Sequence, residues 1–121
     1  MSAEEIANAF VHHYYTAFDG GPDALAGLYQ AQSMLTFEGQ QFQGSAAIIE
    51  KLKAVGQVAH NVGTIDIQPS TDSNAIIVFV AGSLRIGGDN PLHFSQMFQL
   101  VATAPGQYYV HNDIFRLNYG L

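Results

Sequence analysis

The sequence contains no cysteine and no tryptophan, and charged residues make up only 12% of its 121 residues. Without cysteine the chain forms no disulfide and offers no thiolate to a metal, so it suits a reducing compartment. Charged residues make up roughly a quarter of an ordinary globular chain. Because so few charges are available to solvate a surface, we expect a partner, such as a second copy of the chain, to cover part of the apolar surface.

Basic residues are the scarcest charged class. Four lysines and arginines stand against ten acids, and the formal net charge is −6. Binding to nucleic acid or to an anionic membrane depends on clusters of lysine and arginine, so the composition argues against both. A protein partner with a basic patch is the natural electrostatic complement.

Long apolar runs are also missing. No run approaches the roughly 20 residues of a membrane span, which excludes membrane insertion through a helix. The N-terminal segment MSAEEIANAF is acidic and lacks the basic and apolar regions of a signal peptide. We expect a cytosolic or nucleocytoplasmic protein, folded as one domain over residues 1–121.

Three helices are predicted in the first half. Ser2 and Glu5 fit a capping box, and apolar residues then recur every three or four positions as far as the segment DGG. Pro22 favours a second, short helix at PDALAGLY. A third helix is predicted at GSAAIIEKLKAV, with Ser45 as its N-cap. Between the second and third helices, the stretch SMLTFEGQQFQG indicates a strand that ends beside Glu38.

Four long strands are predicted in the second half, over residues 58–69, 75–86, 92–103 and 108–117. The short turn segments between them indicate an antiparallel meander. Apolar residues occupy both phases of these strands, as Val78 and Phe79 or Met97 and Phe98 show. One face of the sheet can hold the helices, and the other needs a second cover. The pattern therefore predicts an α+β fold and a homodimer packed sheet to sheet.

The sequence lacks the residue patterns of several common catalytic mechanisms. No serine lies in a G-x-S-x-G context and no glycine-rich phosphate loop precedes a helix, so we expect no cofactor. Adjacent His12 and His13 would point about 100° apart on a helix, and the other histidines are isolated, so no metal site is expected. Acid–base chemistry stays open, because Glu38, Asp66 or Asp113 could act in an apolar cavity. For Asp113 we favour a strand residue hydrogen-bonded to a neighbour.

Five segments closely resemble the nuclear transport factor 2 family. They occur in order, span essentially the whole chain, and read YYTAFDG, LAGLYQAQSMLTFEGQQFQG, IIEKL, HFSQMFQL and NDIFRLNY. The resemblance implies a cone of three N-terminal helices packed on a strongly bent antiparallel sheet, with a cavity at the open end and a homodimer through the sheet. It also implies a carrier without enzymatic activity. That carrier binds GDP-bound Ran and phenylalanine-glycine nucleoporin repeats in the cytoplasm, nucleus and nuclear pore, and it returns Ran to the nucleus.

The same resemblance implies which residues bind. An aromatic side chain of Ran would enter the cavity beside Phe37 and His60, and lysines of Ran would meet the rim acids Glu38 and Asp89. Asp19 corresponds to an acid near the nucleoporin-binding edge between subunits. In an extended segment, Phe37 and Glu38 would point to opposite sides, so that one builds an apolar wall and the other places charge at its edge.

A second function stays open at this stage. The same cone is used by enzymes similar to ketosteroid isomerase and scytalone dehydratase. The alternative is therefore a small-molecule isomerase or dehydratase that uses an acid in the cavity.

Overall fold

The computed structural model describes residues 2–88 and 90–118. Two α-helices, one 3₁₀ helix and six strands make up this part of the chain. In chain order they are α1 (Ala3–Gly20), the 3₁₀ helix (Pro22–Leu28), β1 (Tyr29–Phe37), β2 (Gln40–Gln43), α2 (Ser45–Ala54), β3 (Val58–Pro69), β4 (Ala75–Ile86), β5 (Leu92–Ala104) and β6 (Gln107–Asn118). No helix among these is long and apolar enough to cross a bilayer.

The helix ends follow local chemistry. The predicted capping box is present: the Glu5 N–H donates to the Ser2 hydroxyl at 3.1 Å, and the Ser2 N–H donates to the Glu5 carboxylate at 3.0 Å. The second helix is a 3₁₀ helix with Pro22 in its first turn. The predicted N-cap of α2 was wrong by one residue, because Gly44 occupies that position with φ 88°. The Ser45 hydroxyl instead donates to the Ala26 carbonyl at 2.8 Å.

The six strands form one curled sheet in the order β2-β1-β6-β5-β4-β3. All neighbouring strands are antiparallel except β1 and β6, which run parallel. The expected α+β cone is therefore confirmed, but its sheet is mixed, because the chain crosses over between its first and last strands. The sheet bends at a bulge between Val62 and Thr64, opposite Gly82. A Cβ at Gly82 would lie 2.3 Å from the Asn61 carbonyl oxygen, so only glycine allows the backbones to approach this closely.

The two phases of the strands have different surroundings. On the inner face Val78 and Phe98 are neighbours in the ladder, and both are 0% exposed beneath α1. On the outer face Phe79 pairs with Met97, and Met97 pairs with Ile114. Phe79 is 42% exposed and Ile114 is 47% exposed. This line of three apolar side chains, which we call the outer row, has no covering element within the described chain.

Candidate functional site

A largely apolar cavity of about 70 Å³ lies between α2 and the curled sheet. Helices α1 and α2 supply part of its wall, and five strands supply the rest. Its two polar side chains are His60 and Gln96. The lining consists of Phe18, Phe37, Leu52, Val55, Val58, His60, Leu84, Ile86, Gln96, Phe115 and Leu117. Such a surface suits a ligand that is mainly apolar and has few polar groups.

Phe37 forms one aromatic wall of this cavity, as its sequence position suggested. It is the direct neighbour of Phe115 in the parallel β1–β6 pair. The two rings stack with centroids 4.7 Å apart and planes at 10°, and Phe94 lies 5.7 Å beyond Phe115. The parallel pairing thus creates a continuous aromatic surface from residues far apart in the sequence.

Glu38 lies in a tight turn beside that wall, and the expectation of an extended segment was wrong. Glu38 and Gly39 connect β1 to β2 with φ values of 50° and 85°, the left-handed pattern of a type I′ hairpin turn. The Glu38 N–H donates to the Phe115 carbonyl at 3.1 Å, and its carboxylate accepts a hydrogen bond from the Leu117 N–H. Because Phe115 and Leu117 both line the cavity, half-buried Glu38 lies at its edge.

His60 and Asp19 form one hydrogen-bonded unit, although the sequence suggested separate sites for them. His60 Nδ1 lies 2.6 Å from Asp19 Oδ1, and the His60 backbone N–H donates to Asp19 Oδ2 at 2.8 Å. A carboxylate only accepts, so Nδ1 carries the proton. Burial lowers the pKa of His60, and its hydrogen bond with Asp19 opposes that shift. The end of α1 therefore fixes the orientation of an imidazole in the cavity wall.

A buried polar network lies behind Gln96. Asp113 is 1% exposed and accepts hydrogen bonds from Gln96 Nε2 at 2.8 Å and from the Tyr29 hydroxyl at 2.7 Å. The Tyr14 hydroxyl lies 2.7 Å from that of Tyr29, and the Tyr15 hydroxyl donates to Gln96 Oε1 at 2.7 Å. Burial raises the pKa of Asp113 to about 6. These hydrogen bonds confirm the interpretation of Asp113 as a hydrogen-bonded strand residue. Asp113 does not line the cavity.

The sequence reasoning missed the tyrosines, Gln96 and Lys51. Tyr14, Tyr15 and Tyr29 look like ordinary core aromatics, and only an acid in an apolar strand hinted that buried donors were needed. Lys51 follows Glu50 on α2, and its ammonium lies 5.1 Å from the Phe37 ring centroid and 5.7 Å from that of Phe42. We call this group, together with the Glu38–Gly39 turn, the lip of the cavity.

Two predicted acids lie elsewhere. Asp66 is exposed on β3 and is paired in register with Phe79 of the outer row, so it is not part of the cavity lining. Asp89 falls outside the described residues. Within the described chain, Phe37, Glu38 and His60 are thus brought together around one cavity, with Asp19 directly behind His60.

The curled sheet, the packed helices and the aromatic cavity define a small α+β domain with a cone-shaped fold. The family model described as "Nuclear transport factor 2 (NTF2) domain" matches residues 6–117. Nuclear transport factor 2 of Oryza sativa is 56% identical over 123 residues, covering 99% of this chain and 100% of that protein. Nuclear transport factor 2B of Arabidopsis thaliana is 49% identical, covering 98% and 97%.

A solved structure gives the same result. That of nuclear transport factor 2 from Cryptosporidium parvum superposes with a TM-score of 0.89 at 43% identity, covering 96% of this chain and 94% of that one. The chain belongs to the nuclear transport factor 2 family. Membership at this identity supports a role in nuclear transport.

Proposed function

We propose that this protein is a nuclear import carrier that binds GDP-bound Ran and phenylalanine-glycine repeats of nucleoporins and returns Ran to the nucleus. It would act as a homodimer in the cytoplasm, the nucleus and the nuclear pore. The observation that carries the proposal is the aromatic cavity with Glu38 at its lip. Family membership supports the transport role, and the cavity supplies a surface for an aromatic side chain of the partner.

The cavity can stabilise such a side chain in two ways. Fully burying a phenylalanine-sized group contributes about 1.5–3 kcal/mol, and the Phe37–Phe115 stack supplies ring faces and edges for it. An ionised carboxylate has about four acceptor positions, and Glu38 uses one for the Leu117 N–H. The carboxylate can therefore also accept a lysine of Ran that lies beside the aromatic group. Asp89 belongs to this proposal on its sequence position alone.

The Ran-binding proposal is tested by two substitutions at Glu38. Glu38→Gln keeps an oxygen for the Leu117 N–H and removes only the charge, whereas Glu38→Lys reverses the charge and loses that hydrogen bond. Losing one member of a partly desolvated charge pair costs about 2–5 kcal/mol, so Glu38→Gln should weaken binding roughly thirtyfold or more. Glu38→Lys should abolish it. Calorimetry against Ran loaded separately with GDP and GTP measures both variants.

The controls separate binding from folding. Circular dichroism and thermal unfolding should show Glu38→Gln folded like the wild type, while Glu38→Lys loses some stability because the side-chain hydrogen bond to the Leu117 N–H is gone and only the backbone bond to Phe115 remains. If Glu38→Gln binds GDP-bound Ran as tightly as the wild type, the carboxylate serves only the hairpin. If the wild type does not bind GDP-bound Ran, the proposed partner is wrong.

Nucleoporin binding is proposed for the edge that includes Asp19. A carrier must release quickly, so each repeat contact should be weak and several tethered repeats should supply the avidity. Asp19→Ala should weaken retention on immobilised phenylalanine-glycine repeats. Because Asp19 also holds His60, the control is His60→Phe, which removes the imidazole hydrogen bond but keeps the carboxylate and its bond from the backbone N–H of residue 60. Equal losses in both variants would assign the effect to the cavity rather than to Asp19 itself.

The homodimer is proposed to form through the outer row. Three aligned apolar side chains, two of them more than two-fifths exposed, lie at the centre of the outer face. A permanent dimer typically buries more than about 2,000 Å². A two-fold arrangement is the commonest way for one surface to cover its own copy.

The alternative, an isomerase or dehydratase that uses an acid in the cavity, finds less support. Among the described residues that line the cavity there is no carboxylate, and the two polar side chains are His60 and Gln96. Asp113 has the raised pKa that such an acid needs, but Gln96 separates it from the cavity. Saturable turnover of a small hydroxylated or ketone substrate that is lost in Asp113→Asn, with the fold kept, would restore this alternative.

A further inference from the structure

A cation lies at the lip of the cavity, in a chain that has only four lysines and arginines. The ammonium of Lys51 lies over the rings of Phe37 and Phe42, at 5.1 Å and 5.7 Å from their centroids. No carboxylate of the described residues forms an ion pair with Lys51. The contrast is Lys53 on the same helix, which pairs with Asp23 at 3.3 Å.

Position on α2 explains this difference. Residues two positions apart project about 200° apart around a helix, so the two lysines leave opposite sides of α2. Leu52, between them, is buried in the cavity wall. Lys51 therefore reaches along the lip, while Lys53 reaches toward the 3₁₀ helix. The aromatic contacts hold the Lys51 ammonium beside the Phe37 ring, which forms part of the cavity wall.

The two charges of the lip differ in availability. The Glu38 carboxylate already accepts the Leu117 N–H, whereas the Lys51 ammonium has three donors and forms no ion pair with a described carboxylate. A cation held near apolar surface favours an anion that arrives with the ligand, because the pair is partly shielded from water.

We propose that Lys51 binds a carboxylate next to the aromatic side chain that enters the cavity, so that the favoured partner segment has an aspartate or glutamate adjacent to a phenylalanine-type residue. This rests on the proposed function, in which the cavity receives an aromatic side chain of a protein. It adds a second requirement to that partner: a base faces Glu38 on the hairpin side of the lip, and an acid faces Lys51 on the α2 side.

The test uses short capped peptides that contain no part of Ran. A central phenylalanine is flanked on both sides by aspartate, by asparagine or by lysine, and binding is measured by NMR titration of the cavity residues in about 0.15 M salt, where the screening length is about 8 Å. Exposed ion pairs contribute about 0.2–1 kcal/mol, which corresponds to roughly 1.5- to fivefold in affinity. The wild type should therefore prefer the aspartate peptide to the asparagine peptide by a factor in this range.

Two matched variants assign that preference. Lys51→Gln and Lys53→Gln each remove one positive charge, so both change the net charge of the protein equally. Lys51→Gln should abolish the preference for aspartate, measured as the ratio of the affinities for the aspartate and asparagine peptides, and Lys53→Gln should keep that ratio.

Each other result overturns the inference. It is wrong if the wild type binds both peptides equally, if Lys51→Gln keeps the preference, if Lys53→Gln loses it equally, or if no peptide shifts the cavity residues. Failure to bind GDP-bound Ran is a separate result, since it would remove the proposed partner without changing the peptide preference.

Discussion

The inner and outer faces of the sheet have the same kind of residue and opposite surroundings. On β4, Val78 is 0% exposed and its neighbour Phe79 is 42% exposed, and on β5 Phe98 is 0% exposed next to outward-facing Met97. The helices cover only the inner face. Apolar side chains along one face of a strand thus indicate that this face is covered. The pattern does not tell whether the cover is a helix of the same chain or a second chain.

The largest effect on the free energy of unfolding should come from removing a buried side chain on the inner face. Phe98→Ala should destabilise the subunit by about 3–5 kcal/mol, because it leaves a cavity beneath α1. Phe79→Ala should act mainly through association, so its effect on urea unfolding should grow smaller as the protein is diluted below its dimer dissociation constant. Unfolding of both variants at several protein concentrations makes the test. Equal, concentration-independent losses would show that the outer face is not an interface.

Charge on the outer row should separate two subunits without unfolding them. Met97→Glu would bury an unpaired carboxylate in each copy of the interface and weaken the dimer by at least about a hundredfold. Sedimentation at micromolar concentration should show twice the chain mass for the wild type and for Met97→Leu, and a single folded chain for Met97→Glu. A monomeric wild type, or a dimeric Met97→Glu, would contradict the sheet-to-sheet dimer. Phe115→Glu would not test the dimer interface, because Phe115 is buried on the inner face of the subunit.

The smallest expected effect comes from the polar network of the inner face. Asp113 has a folded pKa of about 6, above its ordinary 3.8, so its contribution to stability is largest at low pH and is lost as the pH rises through 6. Between pH 7.5 and pH 5 it should add on the order of 1 kcal/mol. His60 opposes this change, since its pKa is lowered and folding then loses stability as the pH falls.

The variant Asp113→Asn isolates the pH-dependent contribution of Asp113 to the free energy of unfolding. The unfolding free energy of the wild type minus that of the variant should increase as the pH falls, because His60 and the surface carboxylates cancel in the difference. Urea titrations at several pH values measure it. A difference that stays constant between pH 7.5 and pH 5 would show that Asp113 does not titrate in this range.

Local patterns predicted most of the elements but fewer of the contacts at the site. The bounds of β3 and β4 agree with the predicted 58–69 and 75–86, since alternation and turn residues are short-range signals. The parallel β1–β6 pair was missed because pairing of distant segments has no local signature. Asp19 and His60 lie 41 positions apart, so their hydrogen bonds were hidden in the same way.

The residues of the lip show a second limit of prediction from sequence. Glu38 looks like the end of a strand, yet its φ of 50° turns the chain, and only the following glycine hinted at a two-residue turn. Lys51 looks like an ordinary helix-surface lysine, because its place beside Phe37 depends on how α2 packs against the hairpin. The resemblance to the family located Phe37, Glu38 and His60 near one cavity, but it did not show what holds them there.

The pairing of the first strand with the last has a consequence for synthesis. Glu38 contacts Leu117, which is 79 positions later, and at about 5–20 residues per second a ribosome takes roughly 4–16 seconds to add that segment. During this interval β1 has no partner on the side that β6 will occupy, and neither Phe115 nor the acceptor and donor that hold Glu38 yet exist. A nascent chain therefore cannot bind a ligand in the cavity before β6 has emerged, and the exposed edge of β1 is the segment that a chaperone would need to protect.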